Sequence, residues 1–191
     1  MITMFAGVVG AHAQALPTAS QTLPISIFGT GTGTFTGLNG GRNLALTAGA
    51  DLAMRPRFSL YPALEVRGTY AFYGGQVDSQ NNLMGGIKLS AYFGKVHPYV
   101  DILLGQGEIT YESGGFPNPS RTYQFLKTPS LVISPGLGVD YEINEHFAVK
   151  GDFQLQHYET PVTASGSLYA KPISVGVVYR LQFRSNGRRD H

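Results

Sequence analysis

The sequence contains no cysteine and no tryptophan, and only 14% of its 191 residues are charged. The absence of cysteine excludes disulfide frameworks, thiol catalysis and thiolate metal sites. Soluble domains ordinarily carry about 25% charged residues, so something other than charge must cover much of this protein's surface. Since the net charge is only +2 and no long run of lysine or arginine occurs, we expect no nucleic-acid partner.

Long apolar runs are also missing from the sequence. No stretch of about 18 apolar residues occurs, as a transmembrane helix would need, so any segment that crosses a membrane must be a strand. The glycine and threonine run Gly29–Gly33 lacks the lysine and the strand-turn-helix context of a phosphate loop. No two histidines have the spacing of metal ligands. We therefore expect no cofactor, no metal site and no catalytic site.

The first thirteen residues are typical of a secretory signal. An apolar stretch leads to Ala11-His12-Ala13, which is the small-x-small pattern that a signal peptidase cleaves. The positively charged region that usually opens such a signal is missing. We therefore predict a signal peptide over residues 1–13 that is truncated at its N-terminus.

From residue 24 onward, apolar and polar residues alternate in segments of about ten to thirteen residues, the length that a tilted strand needs to cross hydrocarbon. In one segment Leu44, Leu46 and Leu52 fall on one face and Thr47 and Asp51 on the other. Eight such segments predict an all-β fold, an eight-stranded antiparallel up-and-down transmembrane barrel over residues 24–183. A short polar tail follows at residues 184–191.

Three features of these segments depart from simple alternation. In the fifth segment Leu103 and Ile109 share the face of Asp101, which predicts a bulge. Pro62 and Pro135 lie inside strands, where each lacks the N–H of one ladder bond. We expect bulges or local fraying at both prolines.

The connections between strands alternate between short and long. Tight turns are expected at residues 55–57, 94–96 and 144–145, whereas the segments 73–81, 112–128 and 159–170 are longer and rich in Gly, Ser, Asn and Pro. Outer-membrane barrels have short periplasmic turns and long extracellular loops. The segment 112–128 also holds Phe116, Arg121 and Tyr123, a mixture suited to an extracellular partner.

Three observations favour an apolar face that points outward to lipid. First, the polar face is made of small residues and of charges of both signs, as the narrow interior of eight strands requires. Second, aromatic residues gather near strand ends, where interfacial girdles form. Third, the predicted signal peptide directs export of the chain. The predicted lumen charges are Asp51, Glu65, Arg67, Lys88, Asp101, Asp140, Glu142, Lys150, Asp152 and Arg180. The predicted interfacial aromatics are Phe72, Tyr73, Phe93, Tyr99, Tyr141, Phe147, Tyr158, Tyr179 and Phe183.

Three stretches of the sequence resemble known proteins. The segment 171–183, with alternating apolar residues and a final aromatic, resembles the closing strand of outer-membrane barrels. The segments 98–100 and 136–141 are similar to the eight-stranded barrel domain of the OmpA and OmpX type. The resemblance implies residence in the bacterial outer membrane, contact with its lipid, and insertion by the barrel-assembly machinery.

Four functions remain compatible with this sequence. The first is a structural or surface-interaction role, with the lumen plugged by paired charges. The second is a lipid-modifying enzyme, for which His157 with Ser165 or Ser167 is the candidate group. The third is a narrow pore through the lumen. The fourth is a soluble lipocalin-like binder with the faces reversed. We favour the first of these, a protein without enzymatic activity.

Overall fold

A computed structural model of the protein describes residues 25–75, 77–112 and 114–181. The strands are β1 Ile25–Phe35, β2 Arg42–Ala53, β3 Leu60–Tyr73, β4 Asp78–Ala91, β5 Val96–Tyr111, β6 Phe116–Pro117, β7 Gln124–Phe125, β8 Lys127–Glu142, β9 Phe147–Gln154, β10 Gln156–Glu159 and β11 Ser167–Leu181. Among these residues no helix has the length and apolar character to span a bilayer. The predicted signal peptide and the polar tail lie outside the described residues.

The strands form one closed antiparallel barrel. β1 pairs with β2 on one side and with β11 on the other, so that Ile25 lies opposite both Leu52 and Leu181. β9 and β10 together make one barrel strand between β8 and β11. β6 and β7 form a separate small hairpin in the connection from β5 to β8. The predicted eight-stranded up-and-down barrel is thus confirmed.

The bulge that we expected in the fifth segment is absent. β5 keeps one continuous register with both β4 and β8 from end to end. Leu103 and Ile109 are completely buried and point into the lumen with Asp101. The prediction was wrong because these apolar residues keep the alternation and belong to the inner face. A register shift occurs instead between β2 and β3, at Leu44 and Ala45.

The two strand prolines have smaller effects than we expected. Pro62 pairs with Leu89 in an unshifted register, so no bulge forms there. Pro135 also leaves the register of β8 unshifted, but it lies level with Leu155, whose N–H donates to the Pro135 carbonyl over 2.9 Å. Because Pro135 cannot return that bond, the regular ladder is interrupted at Leu155, between β9 and β10.

The two ends of the barrel differ. We call the end with the connections 54–59, 92–95 and 143–146 the turn end; it also holds Ile25 and Leu181, where the barrel begins and closes. We call the other end, with the connections 36–41, 74–77, 112–126 and 160–166, the loop end. Several strands reach further into the predicted loops than we expected, since β4 begins at Asp78 and β11 at Ser167.

Candidate functional site in the barrel lumen

The barrel has the reverse polarity of a soluble domain. Outward-facing apolar side chains are exposed, with Leu46 at 62% and Val175 at 63%, whereas the inward-facing Glu65 and Lys150 are both at 0%. Because successive side chains of a strand point to opposite faces, the sequence alternation produces this arrangement directly. Among the described residues, nine charged side chains are buried, and each of them needs a partner.

Arg67 of β3 is the centre of the lumen network. Its guanidinium forms ion pairs with Glu65 on the same strand and with Asp152 of β9 over 2.7 Å. A longer contact of 3.4 Å reaches Asp101 of β5. β3 and β9 are separated by four strand steps in either direction around the barrel, so the Arg67–Asp152 pair spans the lumen.

Lys88 of β4 forms a second connection across the lumen. Its ammonium group lies 3.1 Å from a carboxylate oxygen of Asp51 in β2 and 3.0 Å from one of Asp140 in β8. Each of these partners is two strands away from β4, on opposite sides. Lys88 therefore joins two walls of the barrel that would otherwise not touch.

Lys150 of β9 is held mainly by aromatic rings. Its ammonium lies 4.1 Å from the ring centre of Tyr99 and 4.7 Å from that of Phe28, while the nearest carboxylate oxygen, on Asp140, is 3.8 Å away. Lys88 lies 4.0 Å from the same Tyr99 ring. Desolvated cation–π contacts of this kind stabilise a buried ammonium, and here they supplement a long ion pair.

Neutral side chains add hydrogen bonds to two of the lumen carboxylates, Asp101 and Asp152. The Gln154 amide donates to both oxygens of Asp101 over 3.0 Å and lies within 3.3 Å of both oxygens of Asp152. The Tyr99 hydroxyl donates to Asp152 over 2.8 Å. Neither Gln154 nor Tyr99 was among the predicted lumen charges, but each alternates in step with a charged neighbour, Asp152 or Asp101, and therefore points inward.

A smaller polar group lies at the turn-end mouth. Arg180 pairs with Glu142 over 3.1 Å, and the His97 ring lies within 3.4 Å of the same carboxylate. The Tyr92 ring packs 4.0 Å from that of His97. Burial raises the pKa of the Tyr92 phenol above its ordinary value. Glu142 and Arg180 are thus separate from the central network, which contains the other eight predicted charges.

The ion pairs of the lumen do not simply join charges that are close in the sequence. Glu65 and Arg67 do pair, as do Asp140 and Lys88. Lys150 and Asp152, which lie two positions apart on β9, contact Asp140 and Arg67 respectively rather than each other. Closure of the barrel brings strands together across the lumen, and these cross-lumen neighbours prevail over neighbours on one strand.

Above the charges, toward the loop end, the lumen holds hydroxyls and then apolar side chains. Thr47 bonds to Thr32 over 2.8 Å and to Thr69 over 2.9 Å, and Asn82 donates to the Tyr158 hydroxyl over 3.0 Å. The apolar cluster at the loop end consists of Leu38, Met84, Leu103, Ile109, Tyr111, Val132, Tyr158, Val162, Leu168 and Ala170. Leu103 and Ile109, the two residues from which we predicted a bulge, belong to this cluster.

The predicted interfacial aromatics divide into three groups. Phe72 and Tyr73 at the loop end and Phe93, Tyr141 and Phe147 at the turn end are exposed, and Tyr179 is half-buried against Phe147. Tyr99 and Tyr158 are buried in the lumen, so their prediction was wrong. They share the parity of Asp101 and of Gln156, which points them inward. Phe183 lies outside the described residues.

The candidate enzymatic residues are not brought together by direct hydrogen bonds. His157 is half-buried beside the outward-facing Tyr169, with ring centres 5.0 Å apart. The Ser167 hydroxyl donates to that of Ser165 over 3.4 Å. Among the hydrogen bonds of residues 25–75, 77–112 and 114–181, none joins His157 to either serine.

A closed barrel with an apolar outer surface and a polar lumen belongs to the class of transmembrane β-barrels. The family of outer membrane protein beta-barrel domains matches residues 2–180. The chain belongs to this family, and the protein resides in the bacterial outer membrane. The soluble lipocalin-like alternative is therefore wrong, since the apolar residues face out and the polar ones face in.

Solved structures of small outer-membrane barrels are similar to this chain. Neisserial surface protein A is 12% identical with a TM-score of 0.52, over 84% of this chain and 97% of that chain. Ail from Yersinia pestis is 11% identical with a TM-score of 0.49, over 84% and 98%. OprG from Pseudomonas aeruginosa is 12% identical with a TM-score of 0.49, over 84% and 97%. A comparison with curated proteins finds no match.

Proposed function

We propose that this chain is a non-enzymatic outer-membrane barrel with a sealed lumen, which supports the envelope and presents its loops to the outside. The observation that carries the proposal is the pair of cross-lumen connections, Arg67–Asp152 and Lys88 with Asp51 and Asp140. Eight strands leave an interior just wide enough for side chains. We expect ion pairs across that interior, with an apolar cluster beyond them, to block a continuous water path.

Planar-bilayer recording tests the sealed lumen against the narrow-pore alternative. The purified full-length protein should give no discrete conductance steps in salt solution, while a porin run in parallel verifies the assay. Reproducible conductance steps would favour the pore, provided that the protein is folded, as shown by a gel band that shifts in mobility when the sample is boiled. If the lumen conducts, Lys88→Gln should alter the size of these steps. Leakage at the protein–lipid boundary should not depend on Lys88.

The connection between β5 and β8 supports the surface-interaction part of the proposal. Phe116 and Phe125 pair across the β6–β7 hairpin and pack against the apolar cluster, which anchors the hairpin to the barrel. Near its tip, the Asn118 side chain accepts from the Thr122 and Tyr123 N–H groups. Tyr123 itself is 68% exposed. An anchored hairpin that presents an aromatic side chain is suited to binding a partner, because little flexibility is lost on binding.

Cell adhesion tests this role of the hairpin. Cells that display the protein should adhere to immobilised extracellular-matrix protein more than cells without it. The double substitution Arg121→Ser and Tyr123→Ser should remove the difference, while Ser165→Ala in the β10–β11 loop serves as the matched loop control. Equal adhesion by cells with and without the protein would oppose the role.

The enzyme alternative is tested at His157. With its ring against Tyr169 on the outer wall and no direct bond to Ser165 or Ser167, His157 lacks the base–nucleophile contact of acyl-transfer sites. Mass spectra of lipid A from expressing cells should be the same with wild-type protein, with His157→Ala and without the protein. A changed acylation pattern that depends on His157 would overturn the non-enzymatic proposal.

A further inference from the structure

Two outward-facing cations flank an aromatic ring at the loop-end rim. Phe35 of β1 is the register partner of Arg42 in β2 and of Lys171 in β11. All three side chains are exposed, and the Arg42 guanidinium lies over the Phe35 ring, 5.2 Å from its centre. Two strand spacings of about 4.8 Å each separate the cation-bearing backbones, which is within the joint reach of arginine and lysine side chains.

These cations differ from the ten predicted lumen charges, each of which has an ion-pair partner. In the described part of the chain, neither Arg42 nor Lys171 takes part in an ion pair. Glu159, on the strand beside β11, pairs in register with Ser167. It lies four residues further toward the loop end than Lys171, about 13 Å along the strand. The cation pair is therefore free to bind an anion.

Arg42 and Lys171 lie at the level of the barrel where lipid headgroups are expected. One row below them toward the barrel centre, the outward register partners are Leu44, Gly33 and Ile173, and the two large side chains are exposed and apolar. Successive rows on one face are about 7 Å apart. Arg42 and Lys171 thus lie at the boundary where the apolar band ends, with Phe35 between them at the level of the interface.

A cleft adjoins Phe35 and Lys171. It has a volume of about 430 Å³, and its lining includes Phe35, Thr163, Ser165, Ser167, Tyr169 and Lys171. The Ser165 hydroxyl donates to the Ser167 carbonyl over 3.2 Å and the Ser167 hydroxyl to Ser165 over 3.4 Å. Both distances exceed the usual 2.7–2.8 Å or so of hydroxyl hydrogen bonds, so these donors are easily redirected to an anionic oxygen.

We propose that Arg42, Lys171 and the adjoining hydroxyl-lined cleft bind the phosphate of a phosphorylated lipid in the outer leaflet, with Phe35 seated at the interface between them. Arginine and lysine are the usual phosphate-binding side chains. The lipid's acyl chains would lie along the apolar band below, against Leu44 and Ile173. Long loops face the outside in this family of barrels, which directs the loop-end rim to the outer leaflet.

Native mass spectrometry of the full-length protein in detergent tests this site. The probes are bisphosphorylated lipid A and the same lipid after removal of its phosphates. Each basic residue at a membrane surface contributes roughly a fivefold gain in affinity for an anionic lipid, so two residues predict about a twenty-fivefold preference for the phosphorylated probe. The double variant Arg42→Gln and Lys171→Gln should lose most of this preference.

The matched control is Lys127→Gln. Lys127 is an exposed cation at the same end, but Glu108 already pairs with it over 2.7 Å, so its removal should leave the preference unchanged. The proposal is overturned if wild-type protein binds both probes equally, if the double variant keeps the preference, or if Lys127→Gln loses it as fully. Displacement of the lipid by millimolar inorganic phosphate would overturn the lipid as ligand and assign the site to free phosphate. A heat-modifiable band verifies that each variant is folded.

Discussion

The guanidinium of Arg67 donates to both carboxylate oxygens of Asp152, over 2.7 and 3.4 Å, from opposite sides of the barrel. This two-pronged geometry is the strongest and most specific form of an arginine–carboxylate pair. Since both side chains are buried, neither can exchange its partner for bulk water. The pair therefore links β3 to β9 across the lumen.

Arg67→Ala should destabilise the barrel strongly. The substitution leaves Glu65 and Asp152 buried without their arginine partner. Breaking a buried ion pair in this way lowers the free energy of unfolding by about 3–5 kcal/mol. The temperature at which the folded band disappears on unboiled gels should fall, and urea unfolding in vesicles should give the same ranking. Arg180→Ala is the control, because its partner Glu142 is partly solvated at the mouth. An unchanged heat shift in Arg67→Ala would count against the network.

Leu103 and Leu104 provide a matched test of which face points inward. Leu103 is completely buried in the apolar cluster, whereas its neighbour Leu104 is 54% exposed on the outer wall. Leu103→Ala should leave a cavity and lose about 2–5 kcal/mol of unfolding free energy. Leu104→Ala removes only contacts with lipid and should lose less. Unfolding in urea with phospholipid vesicles measures both, and the reverse ranking would contradict the assigned faces.

Gly138 and Gly29 test how tightly the lumen is packed. A Cβ on Gly138 would overlap the Tyr99 ring and the Gly151 carbonyl, whereas a Cβ on Gly29 meets nothing within 4 Å. Gly138→Ala should therefore displace Tyr99 from between the two lysines and destabilise the barrel by about 1–3 kcal/mol. Gly29→Ala should be nearly neutral. Equal unfolding midpoints for the two variants would show that the lumen has room to adjust.

The turn between β2 and β3 is built from unfavourable residues. Phe58 and Ser59 have φ angles of 52° and 62°, and Arg57 and Leu60 exchange both backbone hydrogen bonds across them. Two-residue turns of this kind favour Asn-Gly, because both residues need a positive φ, which residues with a side chain rarely adopt.

Ser59→Gly should therefore raise the unfolding free energy by about 0.5–1 kcal/mol. Gly94→Ala, at a φ of 63° in the next tight turn, should lower it. The urea midpoints of the two variants should move in opposite directions from that of the wild type. A Ser59→Gly midpoint at or below the wild-type value would refute this account of the turn.

Much of the fold could be predicted from the sequence because its main signal is local. The alternation of side chains depends only on the pleat of each strand, so β2 could be assigned its inner and outer faces from Leu44, Thr47 and Asp51 alone. The same alternation also gives the inward orientation of two tyrosines that we assigned to the interface. Tyr99 and Tyr158 follow the inward parity of Asp101 and Gln156, yet their proximity to strand ends suggested the interface.

The sequence by itself determined the number of strands, the face of most strand side chains and eight of the charges that are buried together, because these follow from short-range periodicity and from the cost of isolated buried charge. The tertiary structure alone decided which charges meet. Arg67 contacts Asp152, and Lys150 rests between Tyr99 and Phe28, because closure and stagger set the distances across the lumen. Those distances join residues far apart in the chain, and no local pattern encodes them.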